Sequence, residues 1–453
     1  LQRILKKPVL PAFVQEQDLL SILDNVYRRQ EQMASIAGEL EGELQSSDFD
    51  INAIVSGSDT SEAPVVRLLQ SLFEDAVQVK ASDVHIEPEE TQLRIRLRVD
   101  GELQEQIMKE KRVASALVSR LKIMSGLDIS EKRLPQDGRF NIRVRNHNID
   151  VRLSTMPVQF GESVVMRLLD QSGGILSMAS LGMRAAIQKR FEYLITRPHG
   201  LILVTGPTGS GKTTTLYAGL TQLNQAEKKI ITAEDPIEYR LPRINQVQVN
   251  TKVGLEFSTV LRAALRQDPD IVLIGEMRDQ ETAEIGLRAA MTGHMVLSTL
   301  HTNDALSAPA RLMDMGVDTY LVASSLRAVL AQRLIKKLCP HCTQPYDADI
   351  QEKAWLETME VGCSAQAYKH GRGCHHCHNT GYQGRIGIYE LLEMNSDLIS
   401  ALRSNDNQAF ADAAVKSRYF RSLAMSALDY AREGVTSLDE VFRVSATLEG
   451  EDY

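Results

Sequence analysis

Gly206, Pro207, Thr208, Gly209, Ser210, Gly211, Lys212 and Thr213 fit the spacing G-x-x-x-x-G-K-[ST]. The run follows the apolar stretch LILVT and precedes the helical pattern TTLYAGLTQL, the strand–loop–helix setting that gives the spacing its meaning. Glycines let successive backbone N–H groups curl around phosphates, and the helix N-terminus adds partial positive charge. Lys212 is placed to reach the β- and γ-phosphates, the Thr213 hydroxyl to ligate Mg²⁺, and Thr214 belongs to the same cofactor-binding run. The chemistry predicted is binding of a nucleoside triphosphate with its magnesium.

Hydrolysis also needs a group that orients the attacking water at the same sheet edge. Asp270–Glu276 (DIVLIGE) reads as a buried parallel strand delivering Glu276 to the carboxyl edge, where it polarises the attacking water or supports Mg²⁺. Asp270 opens that strand at the far edge and reads as structural. Thr232–Tyr239 (TAEDPIEY) follows the apolar KKII and brings Glu234, Asp235 and Glu238 together. Such a group repels itself unless a cation or arginine is near. His294 and His301 flank MVLSTL at opposite ends. His301, at the carboxyl end beside Thr302 and Asn303, is the better γ-phosphate sensor.

A second chemistry is written in sulfur. Cys339-Pro-His-Cys342 and Cys374-His-His-Cys377 are two C-x-x-C pairs, together offering four thiolates to one tetrahedral zinc. The gap between the pairs exceeds the common spacing, which predicts a knuckle on either side of an insertion over 343–373. No open coordination position is implied, so the role is structural. Cys363, the fifth cysteine, reads as an ordinary free thiol.

These residues need elements to hold them. Apolar strands at 200–206, 228–233, 270–275 and 294–300 alternate with helical patterns, which predicts an α/β fold with a largely parallel sheet covered on both faces. Ahead of it, a helix at 64–80, the alternating LRIRLRV at 93–99, a hairpin turn at Asp100-Gly101 and further strands at 139–153 and 163–170 predict a compact α+β domain. The boundaries expected are a helical segment and linker at 1–59, the α+β lobe at 60–170, an interdomain linker at 171–183, the P-loop core at 184–338, a tetracysteine subdomain at 339–395 and a helical region at 396–453.

The 453 residues are 43% hydrophobic and 24% charged, which excludes a mostly disordered chain, and the formal net charge of -8 argues against a uniformly basic nucleic-acid coat. Five cysteines are too few for a secreted disulfide scaffold, and no apolar run is long enough to span a bilayer. The chain reads as soluble and cytoplasmic. Without an initiator Met it also reads as a piece of a longer protein.

Arginines are plentiful in the first domain. Arg94, Arg96 and Arg98 share one strand face, and Arg133, Arg139, Arg152 and Arg167 come from other strands. A neighbouring domain or subunit commonly supplies such a group to a P-loop transition state, but spacing does not choose among them. For Arg262 and Arg266, one helical turn apart, spacing leaves nucleotide contact and salt-bridging equally open.

Taken in order, ASDVHIEP (81–88), RLPQDGR (133–139), GPTGSGKTTT (206–215), TAEDPIEY (232–239), LRQDPDIVLIGEMRD (265–279), GHMVLSTLHTNDA (293–305), the cysteine pairs and GRIGIYELL (384–392) resemble the type II secretion and type IV pilus assembly ATPase family over about 60–450. The resemblance implies a PAS-like N-terminal lobe, a RecA-like ATPase lobe and a small zinc-binding subdomain, the tetracysteine marking the assembly branch. It makes Thr232–Tyr239 an Asp box, Asp270–Glu276 a Walker B segment and His294–His301 a His box. Glu276 becomes the catalytic carboxylate with Glu234 and Glu238 nearby, while Arg139 and Arg152 fall where the N-terminal lobe offers arginines to the nucleotide.

The resemblance further implies a homohexameric ATP- and Mg²⁺-dependent motor, cytoplasmic and peripheral to the inner membrane. Its partners would be an inner-membrane platform protein and other assembly proteins, with no nucleic acid. Residues 1–45 resemble the end of a further N-terminal region that in some members binds cyclic di-GMP or a membrane-anchored partner. Two alternatives from other classes are a RecA-like nucleic-acid translocase, disfavoured by the acidic balance, and a nucleotide-gated scaffold, disfavoured by intact Lys212, Thr213 and Glu276.

Overall fold

Leu93–Val99 alternates buried apolar with half-buried arginine residues, the signature of a strand with one covered face. In the computed structural model, which describes residues 30–45, 63–171, 177–377 and 379–449, this strand belongs to the first of two compact units. That unit takes Leu1–Gly174 with Cys374–Asn379; the second takes Ile175–Gly373 with Thr380–Tyr453. The helical spacing of Leu19, Leu20, Leu23, Val26 and Tyr27, which predicts a further helix, lies outside the described residues.

The first unit runs α1 (Gln30–Gln45), α2 (Pro64–Gln78), β1 (Asp83–Pro88), β2 (Leu93–Val99), β3 (Glu102–Met108), α3 (Val113–Met124), β4 (Gln136–Val144), β5 (His147–Val158) and β6 (Gly161–Asp170). The strands form one antiparallel sheet in the order β3-β2-β1-β6-β5-β4. Asp100 (φ 49°) and Gly101 (φ 93°) make the tight β2–β3 turn, whose left-handed backbone suits Asp and Gly. Val65, Leu68, Leu69, Leu72, Phe73 and Ala76 of α2 recur at helical spacing and are buried in the core beneath this sheet, joined there by Met33, Ile36, Ala37 and Leu40 of α1.

The second unit continues with α4 (Ala185–Ile195), β7 (Gly200–Thr205), α5 (Lys212–Leu223), β8 (Ile230–Glu234), β9 (Asn245–Gln248), α6 (Phe257–Ala264), β10 (Ile271–Ile274), α7 (Gln280–Met291), β11 (Met295–Leu300), α8 (Ser307–Asp314) and α9 (Thr319–Ser325). It ends with β12 (Leu326–Leu338), β13 (Thr343–Tyr346), α10 (Ile350–Met359), β14 (Tyr368–Gly371), β15 (Tyr382–Glu393), α11 (Ser396–Arg403), α12 (Asn407–Val415), α13 (Leu423–Arg432) and α14 (Leu438–Glu449). The main sheet has the order β15-β12-β7-β11-β10-β8-β9. Every pairing is parallel except β12–β15. β7 and β11 are buried along their whole length, and apolar clusters cover both faces.

Two features differ from the sequence expectation. Residues 171–183 read as a linker, yet Met178–Leu181 forms a short 3₁₀ turn whose Met178 and Leu181 are buried, as is Met183. These side chains join the core around Leu216, Tyr217 and Leu391, so the glycine-rich composition hid an anchored segment. Tyr382–Glu393, expected within the cysteine subdomain, is instead an edge strand of the main sheet, antiparallel to β12. An antiparallel edge needs no helical crossover, only the hairpin-like excursion that carries the cysteines.

Candidate active site

The P-loop begins where β7 ends. Gly206, Gly209 and Gly211 have φ of 143°, 79° and 89°, values that side chains adopt poorly. Space demands glycine as well: a Cβ on Gly206 would meet the Gln332 carbonyl oxygen at 2.4 Å, and one on Gly211 the Gln332 side chain at 2.8 Å. The Lys212 ammonium is folded into the loop, donating to the carbonyl oxygens of Gly206 (2.7 Å) and Pro207 (3.0 Å). Burial lowers its pKa to about 8, against the pull of Glu276. The Ser210 hydroxyl is buried with no hydrogen-bond partner among the described residues. Thr208, Gly209 and Thr213 are exposed, Pro207 and Thr214 partly so. A cradle of left-handed glycines, a buried cation satisfied only by loop carbonyls and an unpartnered hydroxyl fit the phosphates of a magnesium nucleotide.

Parallel strands put their carboxyl ends at one edge, and the polar candidates separate there. Glu276, just beyond β10, pairs through one oxygen with Arg278 and lies 3.8 Å from His301 Nε2 through the other. Thr299 and Ser298 of β11 donate to the carbonyls of Gly275 (2.6 Å) and Ile274 (2.8 Å), fixing the backbone from which Glu276 projects. Burial, then the Lys212 charge, holds the His301 imidazole below its ordinary pKa, despite the opposing pull of Glu276. The His301 ring beside Glu276 is therefore uncharged at neutral pH. His294, at the other end of β11, directs Nδ1 to the Ala289 carbonyl at 3.1 Å. Asp270 accepts from the Lys229 N–H at 2.7 Å, again at the opposite edge.

Glu234 has a different environment. It is 3% exposed, and no arginine or lysine answers it in its hydrogen bonds. One oxygen accepts from the Tyr217 hydroxyl, the other from Thr232 and from Gln246 Nε2 at 3.2 Å. Burial, reinforced by the Glu234 charge, pushes the Tyr217 hydroxyl far above its usual range, so it stays a donor. The cation expected among the three acidic residues is thus replaced at Glu234 by neutral donors. Glu238 is half-buried, and its backbone N–H donates to the same Tyr217 oxygen at 3.3 Å.

Sequence reasoning missed Tyr217, which lay inside an apolar helical pattern and looked like core. It also missed Arg278, two residues beyond Glu276, and Gln332, whose side chain accepts from Thr215 at 2.7 Å. Arg262 pairs with Glu281, and Arg266 caps the Arg262 carbonyl at 2.8 Å, which accounts for both by salt-bridging and local bonding.

In the first unit, Arg139 and Arg152 face one another across β4 and β5, and Arg152 faces Arg167 across β5 and β6. Arg139 Nε lies 2.6 Å from the fully buried Asp150. Arg98 and Arg167 share Asp83, at 3.7 Å and 3.2 Å.

The cysteines converge. Cys339, Cys342, Cys374 and Cys377 are all buried, with their sulfurs within 4.8 Å of one another. Cys374 and Cys377 sulfurs are 3.8 Å apart, matching the roughly 3.8 Å edge of a tetrahedron built on ~2.3 Å zinc–sulfur bonds. Pairing of β13 with β14 closes the insertion and returns the chain to the first pair, where Arg372 N–H reaches the Cys342 carbonyl at 3.1 Å and Cys339 N–H the Gly381 carbonyl at 2.9 Å. The donor set and its closure fit a structural zinc. Cys363 is outside this cluster, buried and accepting from Arg432.

The described residues contain no helix long and apolar enough to cross a membrane. A model of the family described as type II/IV secretion system protein matches residues 58–443. The chain is 46% identical over 416 residues to a type II secretion system protein E of Klebsiella pneumoniae, covering 91% of this chain and 82% of that protein. It is 48% identical over 384 residues to a type II secretion system ATPase E of Vibrio cholerae, covering 85% and 76% respectively. Among solved structures, the pilus retraction motor PilT with bound ADP aligns with a TM-score of 0.57 at 26% identity, over 83% of this chain and 96% of that one. The Legionella pneumophila ATPase DotB shares the fold, with a TM-score of 0.63 at 18% identity over 84% of this chain and 96% of that one. A P-loop closing a parallel sheet and sequence identity along most of the chain converge on one answer: the chain belongs to the type II/IV secretion system protein family and is an ATPase.

Proposed function

We propose that this ATPase is a homohexameric motor, cytoplasmic and peripheral to the inner membrane, that drives addition of pseudopilin or pilin subunits through an inner-membrane platform protein. Similarity to type II secretion proteins favours the pseudopilus of that system. The observation that carries the enzymatic part is the convergence of Glu276, His301 and Arg278 at the carboxyl edge of the sheet that also bears the P-loop.

Gly206–Thr214 is the phosphate cradle in this reading. Lys212 exchanges its two carbonyl partners for phosphate oxygens. The Thr213 hydroxyl is the magnesium ligand, and the ion supplies charge neutralisation on the phosphates when bound. Glu276 accepts the proton of the attacking water or orients it, with Arg278 fixing one carboxylate oxygen and leaving the other for this task. His301, neutral at working pH, reports on the γ-phosphate by hydrogen bonding rather than by charge. Glu234 and Glu238 act nearby, Glu234 as the buried anchor of the segment and Glu238 at its rim. Arg139 and Arg152 supply positive charge to the nucleotide from the first unit. Cys339, Cys342, Cys374 and Cys377 hold a structural zinc.

The test is Glu276→Gln. The amide keeps the shape but is not a base, so ATP binding should persist while turnover falls by roughly 10²–10⁴. Wild-type turnover in this variant would remove Glu276 from the chemistry. Light scattering of the full chain with nucleotide tests the hexamer by its mass.

A further inference from the structure

Glu390 is a carboxylate in the middle of β15, 2% exposed, with no basic partner in its hydrogen bonds. One oxygen accepts from the Ala305 N–H at 2.8 Å, the other from the Leu423 N–H at 3.0 Å. Ala305 lies near the end of the segment between β11 and α8 that begins at His301, and Leu423 opens α13. A single buried group therefore holds both the loop facing the reaction edge and the start of a C-terminal helix. The same loop is tied again where Arg333 donates to Asn303 at 2.7 Å. Burial pushes the Glu390 carboxyl up to about 7, with the two N–H groups pulling the other way.

The other end of α13 grips a different segment. The Tyr430 hydroxyl donates to the Gly182 carbonyl, and Tyr389, next to Glu390 on β15, donates to the Leu181 carbonyl at 3.1 Å. Ser426 fastens the middle of α13 to the Tyr389 carbonyl at 2.9 Å. Gly182 lies so close to β15 that a Cβ there would meet Ile386 at 2.4 Å, and its φ is 83°. Leu181 and Gly182 are among the first anchored residues after the chain leaves the first unit.

We propose that Glu390 is a positioning residue that couples the His301–Ala305 loop to the anchored link at Leu181–Gly182, with α13 as the rigid connector. A helix of this length spans about 15 Å and transmits a shift at one end to the other. Movement of the loop between nucleotide states changes where Ala305 holds Glu390, Glu390 moves with the start of α13, and Tyr430 carries the displacement to Gly182. The proposal rests on the reading that His301 faces the γ-phosphate.

Glu390→Gln tests it sharply, because an amide offers one acceptor and one donor where two N–H groups require acceptors. Backbone amide exchange of residues 177–184 is measured in the full chain with ADP and with a non-hydrolysable ATP analogue. The wild type should show rates differing by about fivefold or more between the two states. Glu390→Gln and Tyr430→Phe should each abolish that difference while nucleotide affinity stays within about threefold, and Glu390→Gln should lower kcat by about two- to thirtyfold at unchanged KM. Tyr430→Phe, which touches nothing at the reaction edge, keeps the test open should Glu390→Gln fold poorly. Equal exchange in both states of the wild type, or a persistent difference in both variants, overturns the coupling. Normal turnover in His301→Ala faults instead the reading of the site beneath it.

Discussion

Lys212 and Glu276 show how much a residue's role depends on what holds it when no substrate is near. Lys212 donates only to carbonyl oxygens, and burial brings its pKa down to about 8 against the pull of Glu276. A phosphate favours the ammonium, so binding must first supply the proton wherever the lysine is neutral. Affinity for ADP should therefore hold below pH 8 and fall above it by up to about tenfold per unit, whereas Lys212→Ala should bind weakly with a flatter profile. Calorimetric titrations at pH 7, 8 and 9 check this; parallel profiles for the two proteins would refute it. The lysine and its loop were legible because the spacing itself encodes the chemistry. Arg278 was not, since nothing in GEMRD distinguishes an arginine that clamps Glu276 from one in solvent. Glu390 carried a readable signal, a lone carboxylate inside the apolar IGIYELL, but not the identity of its two partners.

At the scale of elements, buried polar contacts join segments that the sequence keeps apart. Tyr217 on α5 meets Glu234 at the end of β8, linking the P-loop helix to the acidic segment. Removing that hydroxyl leaves a buried carboxylate oxygen short of a donor, which costs about 1–3 kcal/mol. Tyr217→Phe should lower the urea midpoint accordingly, and an unchanged midpoint would show the bond to be replaceable. The cysteine excursion is a second such element. Elemental analysis should find one zinc per chain, and Cys374→Ser should lose it and increase amide exchange over 339–381 before the β7–β11 core loosens, because metal binding and local folding are linked. An equally protected excursion without metal would contradict this. Strands β7, β8, β10 and β11 were legible as short apolar runs. β12, LRAVLAQRLIKKL, was not: its Leu, Ala, Gln, Arg and Lys are all good helix formers, and burial on both faces erases the alternation of a strand.

For the whole molecule, the proposed motor needs charge from the first unit to respond to nucleotide in the second. Arg139 pairs with Asp150, and Arg152 is tested separately from it. If Arg152 serves the nucleotide, Arg152→Ala should cut turnover at least about tenfold while ADP affinity and melting temperature change little. A lowered melting temperature with normal turnover per folded chain would assign it to the sheet alone. Composition excludes a mostly disordered chain, but the anchoring of Met178–Met183 was invisible because part of it rests on Tyr389 and Leu391, some two hundred positions away.

The antiparallel sheet of the first unit ends in β3 on one side and β4 on the other. A sheet that does not close offers unpaired backbone groups along both margins, a template for strand addition by another copy. Here the margins carry exposed charge: Glu102 and Glu105 on β3, Asp137, Arg139 and Arg143 on β4. Parallel in-register addition of an identical strand would set like charges side by side and strip water from each. The exposed charges on β4 thus oppose edge-to-edge pairing with another copy, and a threonine at both Arg139 and Arg143 would weaken that protection.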